Sequence, residues 1–167
     1  MNRLNIIIIL IDGGRIDRVQ NSKFYKQLNS DFSFFSNSIT YGPHTIAAMH
    51  ATFSGCYGNR TGTNSYWSTY KFKKNHFKTL TEYVHENNYY TICDVVNKLV
   101  IPKQGFDEFI IHDEQNDDLA KKHCQILDKI KEKNNFFAFF QFSNIHTGIA
   151  NEVLRVYDNF SEEYFDN

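Results

Sequence analysis

The most regular feature of the chain is an alternation of short apolar runs with amphipathic segments. Three continuous apolar or aromatic runs are typical of strands that are buried on both faces of a parallel sheet. These runs are residues 6–11, 89–96 and 136–143. Three segments between them have the spacing and the polar boundaries of helices, and they are residues 45–54, 79–88 and 116–135. This alternation predicts an α/β fold with a mostly parallel central sheet and helices on both faces.

Shorter segments complete the expected order of elements. Residues 22–30 predict a short amphipathic helix capped by Ser22, and residues 32–40 alternate enough for a strand. Residues 56–75 carry the turn signals of a long surface loop, and residues 105–114 predict a short or edge strand. The last helix is expected to bury one apolar face, formed by Leu119, Cys124, Leu127 and Ile130.

Composition narrows the class of protein. The chain has 167 residues, about one domain, with 18 basic and 19 acidic side chains. This balance does not favour nucleic acid or an anionic membrane as the main partner. The three cysteines, Cys56, Cys93 and Cys124, lack metal-binding spacing and indicate reduced thiols. The first apolar run is too short for a signal peptide or a membrane span, so we expect a cytoplasmic protein.

Polar side chains occur where the predicted strands end. Asp12 follows the first strand and precedes two glycines, and His146 follows the third long strand. Ligands bind at the carboxyl ends of the strands in sheets of this kind. A carboxylate beside glycines suits a hard divalent metal, although an Asx turn that closes the strand is the alternative for Asp12. His146 could hold an anionic oxygen or protonate a leaving group, and the alternative is a structural histidine.

Thr45, at the start of the helix predicted for residues 45–54, has two interpretations. As an N-cap, its hydroxyl would accept a hydrogen bond from the backbone N–H of Ala47 or Ala48. As a nucleophile it would use the same position, because the free N–H groups and the helix dipole stabilise an anion there. The residues alone leave both interpretations open.

Other charged and titratable side chains are weaker candidates. Arg15 and Lys98 could contact a substrate anion, but Arg15 could equally form a surface pair with Asp17, and Lys98 could be solvated. His50 is expected to be packed or on the surface. Four further histidines are expected to face solvent, namely His76, His85, His112 and His123.

Taken together, four stretches resemble the sulfatase branch of the alkaline phosphatase superfamily. They are "NIIIILIDGGRIDRV", "FFSNSITYGPHTIAAMHATFSGCYGNRTGT", "GFDEF" and "NNFFAFFQFSNIHTG". The resemblance implies an alkaline-phosphatase-like sheet in which Thr45 is the nucleophile, Asp12 and Thr45 bind metal, and His146 binds substrate. It also implies a divalent metal ion (Ca, Mg, Mn or Zn) and an anionic phosphate or sulfate ester as substrate.

The chain also departs from the family pattern. Thr45 stands where sulfatases have the Cys or Ser that becomes formylglycine, so phosphoryl-type transfer through threonine is expected instead. Gly13 and Asn144 replace two aspartates of the family, so one metal ligand is missing or comes from elsewhere.

The family segment that completes the metal site does not follow His146. We therefore interpret residues 1–167 as the N-terminal part of a catalytic domain, with a C-terminal half or a partner chain completing the site. The alternative is a non-catalytic α/β binding or assembly module of the same fold. A nucleotide-binding domain is less favoured, because neither a P-loop nor a dinucleotide fingerprint occurs.

Overall fold

A four-stranded parallel sheet forms the centre of the protein. The computed structural model describes residues 4–27, 32–35, 37–133 and 135–152. The strands run side by side in the order β1-β4-β2-β3 and are all parallel. They are β1 (Ile6–Ile11), β2 (Tyr90–Val95), β3 (Glu108–Ile111) and β4 (Phe136–Phe142). The sequence prediction of an α/β fold with a parallel sheet is confirmed.

Helices lie between β1 and β2, between β3 and β4, and after β4. The α-helices are α1 (Ile16–Val19), α2 (Lys23–Gln27), α3 (Thr45–Ser54), α4 (Gly58–Thr61), α5 (Leu80–Glu86), α6 (Leu119–Ile130) and α7 (144–152). Two 3₁₀ turns lie between α4 and α5, at Tyr66–Lys71 and Lys74–His76. The predicted helices at 45–54, 79–88 and 116–135 correspond to α3, α5 and α6. Ser22 caps α2 as expected, because its Oγ accepts a hydrogen bond from the N–H of Tyr25 at 3.1 Å.

The described residues fall into two compact units. Unit 1 lies within residues 1–10 and 36–141, and it holds most of the sheet with α3 to α6. Unit 2 lies within residues 11–35 and 142–167, and it holds α1, α2 and α7.

The sheet of unit 1 is covered by helices on both faces. On one face, α6 packs its Ile126 and Ile130 against Ile92, Ala138 and Phe140. The opposite face buries a second cluster of Phe53, Cys93, Val95, Val100, Ile101, Phe137 and Phe139. Each fully buried phenylalanine contributes roughly 1.5–3 kcal/mol of transfer free energy, so the aromatic β4 anchors both layers.

The first strand is not buried on both faces, contrary to the sequence prediction. Its residues alternate, with Ile8 packed against the core and Ile7 and Ile9 exposed by 45% and 58%. β1 is an edge strand of the described sheet. The cluster under α6 contains side chains from the other three strands and none described from β1, which explains the exposed face.

Two local predictions were wrong, because the side chains concerned pack in a way that their sequence pattern did not indicate. The described residues 32–35 and 37–40 contain no strand. Within unit 2, Phe32 and Phe34 instead pack edge-on against Tyr25, with ring centroids 5.6 and 5.5 Å apart. The expected surface loop at 56–75 contains α4 and the 3₁₀ turns, and Thr61 and Thr63 are buried with their hydroxyls 2.9 Å apart.

The buried face of α6 is also rotated from the predicted one. Cys124 is exposed, whereas His123 and Ile126 are buried together with Leu119 and Ile130. These four residues follow the helical spacing of one face. The prediction failed because it ranked a cysteine above a histidine as a buried residue, although a histidine with a polar partner is readily buried.

Candidate functional site

Asp12 and His146, two of the predicted site residues, lie in unit 2 just beyond the carboxyl ends of β1 and β4. The N–H of Asp12 donates to the carbonyl oxygen of Phe142 at 2.9 Å. Gly13 has φ +77°, and a Cβ added there would lie 3.1 Å from both Cα and N of His146. The turn at Gly13 and the backbone of His146 therefore approach each other closely, although the two residues are distant in sequence. Asp12 is half-buried and His146 is exposed.

His146 lies on a helix rather than in an extended strand end. α7 starts at residue 144, and the N–H and Oγ1 of Thr147 donate to the carbonyl oxygen of Ser143 at 3.0 and 3.2 Å. This places His146 in the first turn of α7, directly after β4. The strand-to-helix turn at Asn144 is thus the element that positions the imidazole.

Arg15 forms a surface ion pair. Its guanidinium donates two hydrogen bonds to the Asp17 carboxylate, both at 3.0 Å. The hydrogen bond to Asp17 raises the pKa of Arg15, and the same bond lowers the pKa of Asp17. Lys98 is exposed in the turn after β2. The surface-pair interpretation of Arg15 is confirmed, and substrate binding by Arg15 and Lys98 stays a prediction.

Thr45 is the first residue of α3 and does not cap it. The cap is His44, whose backbone is extended and whose Nδ1 accepts a hydrogen bond from the N–H of Ala47 at 3.3 Å. The cap interpretation of Thr45 is therefore wrong, because the turn at Gly42 and Pro43 brings His44 into that position. Thr45 is half-buried in the first turn, where backbone N–H groups lack helical partners.

Small residues allow the turn before α3 to pack closely. A Cβ on Gly42 would come within 2.8 Å of the Ala47 Cβ. Beyond this turn, a groove of about 680 Å³ runs between residues 38–41 and the side of α3 that carries Ala48 and Thr52. The groove reaches Cys56, and Thr45 is not among its lining residues.

The "GFDEF" segment has a structural role in unit 1. Gly105 has φ +80°, and a Cβ there would lie 2.4 Å from the backbone N of Glu82 in α5. The Asp107 carboxylate accepts hydrogen bonds from the N–H and Oγ1 of Thr91 at 2.8 and 2.9 Å. Burial alone would raise the pKa of Asp107, but the bonds from Thr91 and His85 outweigh it and lower the pKa. The segment therefore ties β3 to both α5 and β2.

A third polar group, formed by Asp94, His112 and His123, lies inside unit 1. Asp94 is on β2 at the register of Ile110, on the face covered by α6. His112 follows β3 with the same alternation as Ile110, and its N–H donates to the carbonyl oxygen of Val95 at 3.0 Å. His123 reaches the same point from α6. The parallel register of β2 and β3 and the orientation of α6 thus bring together three side chains that are distant in sequence.

The geometry of this group is compact and almost free of solvent. The exposed fractions are 0% for Asp94 and 3% for each histidine. His123 Nε2 lies 2.9 Å from Asp94 Oδ2, and His112 Nδ1 lies 3.3 Å from Asp94 Oδ1. Burial alone would raise the pKa of Asp94, but its interactions with His112, His123 and Lys122 lower it. These three side chains could hold a metal ion.

Sequence reasoning missed this group because it expected His112 and His123 to face solvent. Both expectations were wrong. The signal was present in the alternation of Ile110 with His112 along β3 and in the i, i+3 spacing of His123 with Ile126 on α6. Asp94 lies within a run interpreted only as a buried strand, where a carboxylate needs partners.

The donor sets of the two candidate metal positions differ. Within the described parts of the chain, the one group of three clustered His, Cys, Asp or Glu ligand atoms is that of Asp94, His112 and His123. Asp12 contributes a single carboxylate, and Gly13 offers no side chain beside it. The described residues therefore do not provide a complete donor set at Asp12.

None of the helices described here combines the length and the apolar content needed to cross a membrane. In comparisons with known proteins, no family model, no curated protein and no solved structure matches the chain.

Proposed function

We propose that the chain carries the site of a sulfatase-like hydrolase or transferase that acts on phosphate or sulfate esters, with phosphoryl-type chemistry through Thr45. The observation that carries this proposal is the contact between the Asp12–Gly13 loop and His146. It lies at the carboxyl ends of two strands, the edge where α/β sheets bind their ligands. The motifs that suggested the chemistry include these same positions.

Thr45 is the proposed nucleophile. It occupies the first turn of a ten-residue helix, where the helix dipole favours negative charge. An anionic ester and a developing alkoxide are both stabilised by such a position. Threonine cannot be converted into formylglycine, so direct attack is the chemistry that it supports.

The proposed reaction has two displacements. In the first, the Thr45 hydroxyl loses its proton to solvent, and an Oγ–phosphorus bond forms as the bond from phosphorus to the leaving alcohol breaks. His146 holds a substrate oxygen or, as an imidazolium, donates a proton to the departing oxygen. In the second, water or another alcohol attacks the phosphothreonine and releases the product.

The resemblance also implies a divalent metal held by Asp12 and Thr45. When bound, such an ion would neutralise anionic oxygens of the ester. The donor set at Asp12 is incomplete among the described residues, since Gly13 lacks a side chain. The two proposed displacements therefore do not require the ion.

Turnover by matched variants tests the proposal. The purified chain is assayed with an aryl phosphate, an aryl phosphonate monoester and an aryl sulfate, with and without added divalent ions. We expect Thr45→Ala to lower the rate by at least about 10³-fold and Thr45→Ser to retain activity. Thr52→Ala, on the same helix, is the control and should leave the rate unchanged. Full activity in folded Thr45→Ala would contradict the proposal.

The second candidate is a non-catalytic binding module of the same fold. Gly13 favours it, because glycine supplies no carboxylate there, and its positive φ and a Cβ distance of 3.1 Å to the His146 backbone disfavour a larger residue. A folded chain that binds phosphate or vanadate in calorimetry, yet turns over none of the three esters, would support the module and exclude catalysis by this chain.

A further inference from the structure

We infer that Asp94, His112 and His123 form a zinc-binding site that joins α6 to the carboxyl ends of β2 and β3. The site lies entirely in unit 1 and shares no residue with the proposed ester site. Its three ligands come from three successive elements of the fold. A metal bound there would stabilise the folded chain directly, because the unfolded chain does not hold these residues together.

The distances fit a metal sphere with little adjustment. Zinc binds nitrogen and oxygen ligands at about 2.0–2.2 Å, so neighbouring ligand atoms of a tetrahedron lie roughly 3.3 Å apart. The two Asp94 oxygens lie 2.9 Å from His123 Nε2 and 3.3 Å from His112 Nδ1. The ligand atoms of the group all lie within 4.8 Å of one another.

The electrostatics of Asp94 also favour a bound cation. A fully buried carboxylate is costly unless it is paired. Asp94 Oδ1 lies 3.3 Å from His112 Nδ1 and 4.0 Å from the Lys122 ammonium. Lys122 is itself tied to Asp117 at 2.6 Å, which offsets its charge. A divalent ion would bind Asp94 far more closely than this lysine does.

The ligand chemistry selects zinc over calcium or magnesium. Two imidazoles and one carboxylate suit zinc and its transition-metal neighbours, whereas Ca²⁺ and Mg²⁺ prefer oxygen ligands. The His123 ring stacks on Phe140, with centroids 4.6 Å apart and planes inclined by 25°. This contact fixes the ring before any metal binds, so less ordering is required.

A surface depression lies beside the group. Its lining includes Val96 and the run from Ile111 to Gln115, and therefore His112 itself. Asp113 and Glu114 lie on this depression and attract cations.

Metal titration of the whole chain tests the inference. Chelator-treated protein is titrated with Co²⁺ and then with Zn²⁺, and binding is followed by the visible absorption of cobalt and by calorimetry. We expect one Zn²⁺ per chain. His112→Asn and His123→Asn should each weaken binding at least about tenfold, the lower limit found even for outer-shell partners of metals. His85→Asn, at an exposed histidine paired with Asp107, is the control and should bind zinc like the wild type.

A measurement on the unmodified chain covers the case in which a variant fails to fold. With isotope-labelled histidine, Zn²⁺ should shift two of the seven imidazole signals in magnetic resonance spectra. The inference is overturned if no saturable binding occurs, which would leave a metal-free hydrogen-bonded triad. It is equally overturned if Asp12→Ala abolishes binding, or if folded His112→Asn and His123→Asn bind as tightly as the wild type.

Discussion

Replacement of Gly105 by alanine should be among the most destabilising small changes in unit 1. Two separate costs apply at this position. Its φ of +80° strains an L-residue by roughly 1–2 kcal/mol. The new methyl would also lie 2.4 Å from the N of Glu82 and 2.6 Å from the carbonyl carbon of Thr81, which are rigid backbone atoms in the first turn of α5. Overpacking of this kind adds about 1–3 kcal/mol, so the total is roughly 2–5 kcal/mol.

Gly55 provides the matched control. It also has positive φ, at +63°, but a Cβ there meets nothing within 4 Å. Gly55→Ala should therefore cost only the strain, roughly 1–2 kcal/mol. The difference between the two variants isolates the steric contact with α5.

Urea unfolding followed by circular dichroism measures both free energies. We expect the midpoint for Gly105→Ala to fall well below that for Gly55→Ala at an unchanged slope. Equal losses in the two variants would refute the reasoning, because they would show that the chain accommodates the methyl group without moving α5.

Three further predictions concern other parts of the chain. Thr79→Ala removes the capping box that Thr79 forms with Glu82 at the start of α5, and it should cost about 1–2 kcal/mol in urea unfolding. Asp94→Asn should cost about 3–5 kcal/mol near pH 7 in the same assay, because the buried histidines and Lys122 face this carboxylate. The pKa of Asp94 is lowered from 3.8 in the folded chain, so the wild type should lose its stability advantage over Asp94→Asn as the pH falls below about 5. A difference in unfolding free energy that stays constant with pH would argue against this role of the Asp94 carboxylate. Gly13→Asp, which restores the family carboxylate, should lose at least about 1–2 kcal/mol, because its Cβ adds a close contact with the His146 backbone to the strain of the positive φ, and it should gain no metal affinity in calorimetry.

The main elements of the fold could be predicted from the sequence because their signals are local. The apolar run at Ile6–Ile11 and the aromatic run at Phe136–Phe142 form the expected strands, and α3 has the predicted limits. The burial of β1 could not be predicted in the same way. It depends on the strand order, which places β1 at an edge of the described sheet and beyond the reach of α6.

The candidate sites show the same division. The apolar pattern of the sequence predicted that Asp12 and His146 lie at strand ends. The close approach of Gly13 to His146 could not be predicted, because it depends on how two distant segments fold together. The cap at His44 was missed because threonine is a more common N-cap residue than histidine. The group around Asp94 was missed because its three residues converge only through β2–β3 register and the rotation of α6.

A nucleophilic Thr45 would become covalently modified during turnover. The direct measurement is peptide mapping by mass spectrometry after the chain is mixed with an aryl phosphate and quenched in acid, which preserves phosphothreonine. We expect one phosphoryl group on the peptide that contains Thr45, and none in Thr45→Ala. Turnover in the wild type without this adduct, together with undiminished turnover in Thr45→Ala, would contradict it.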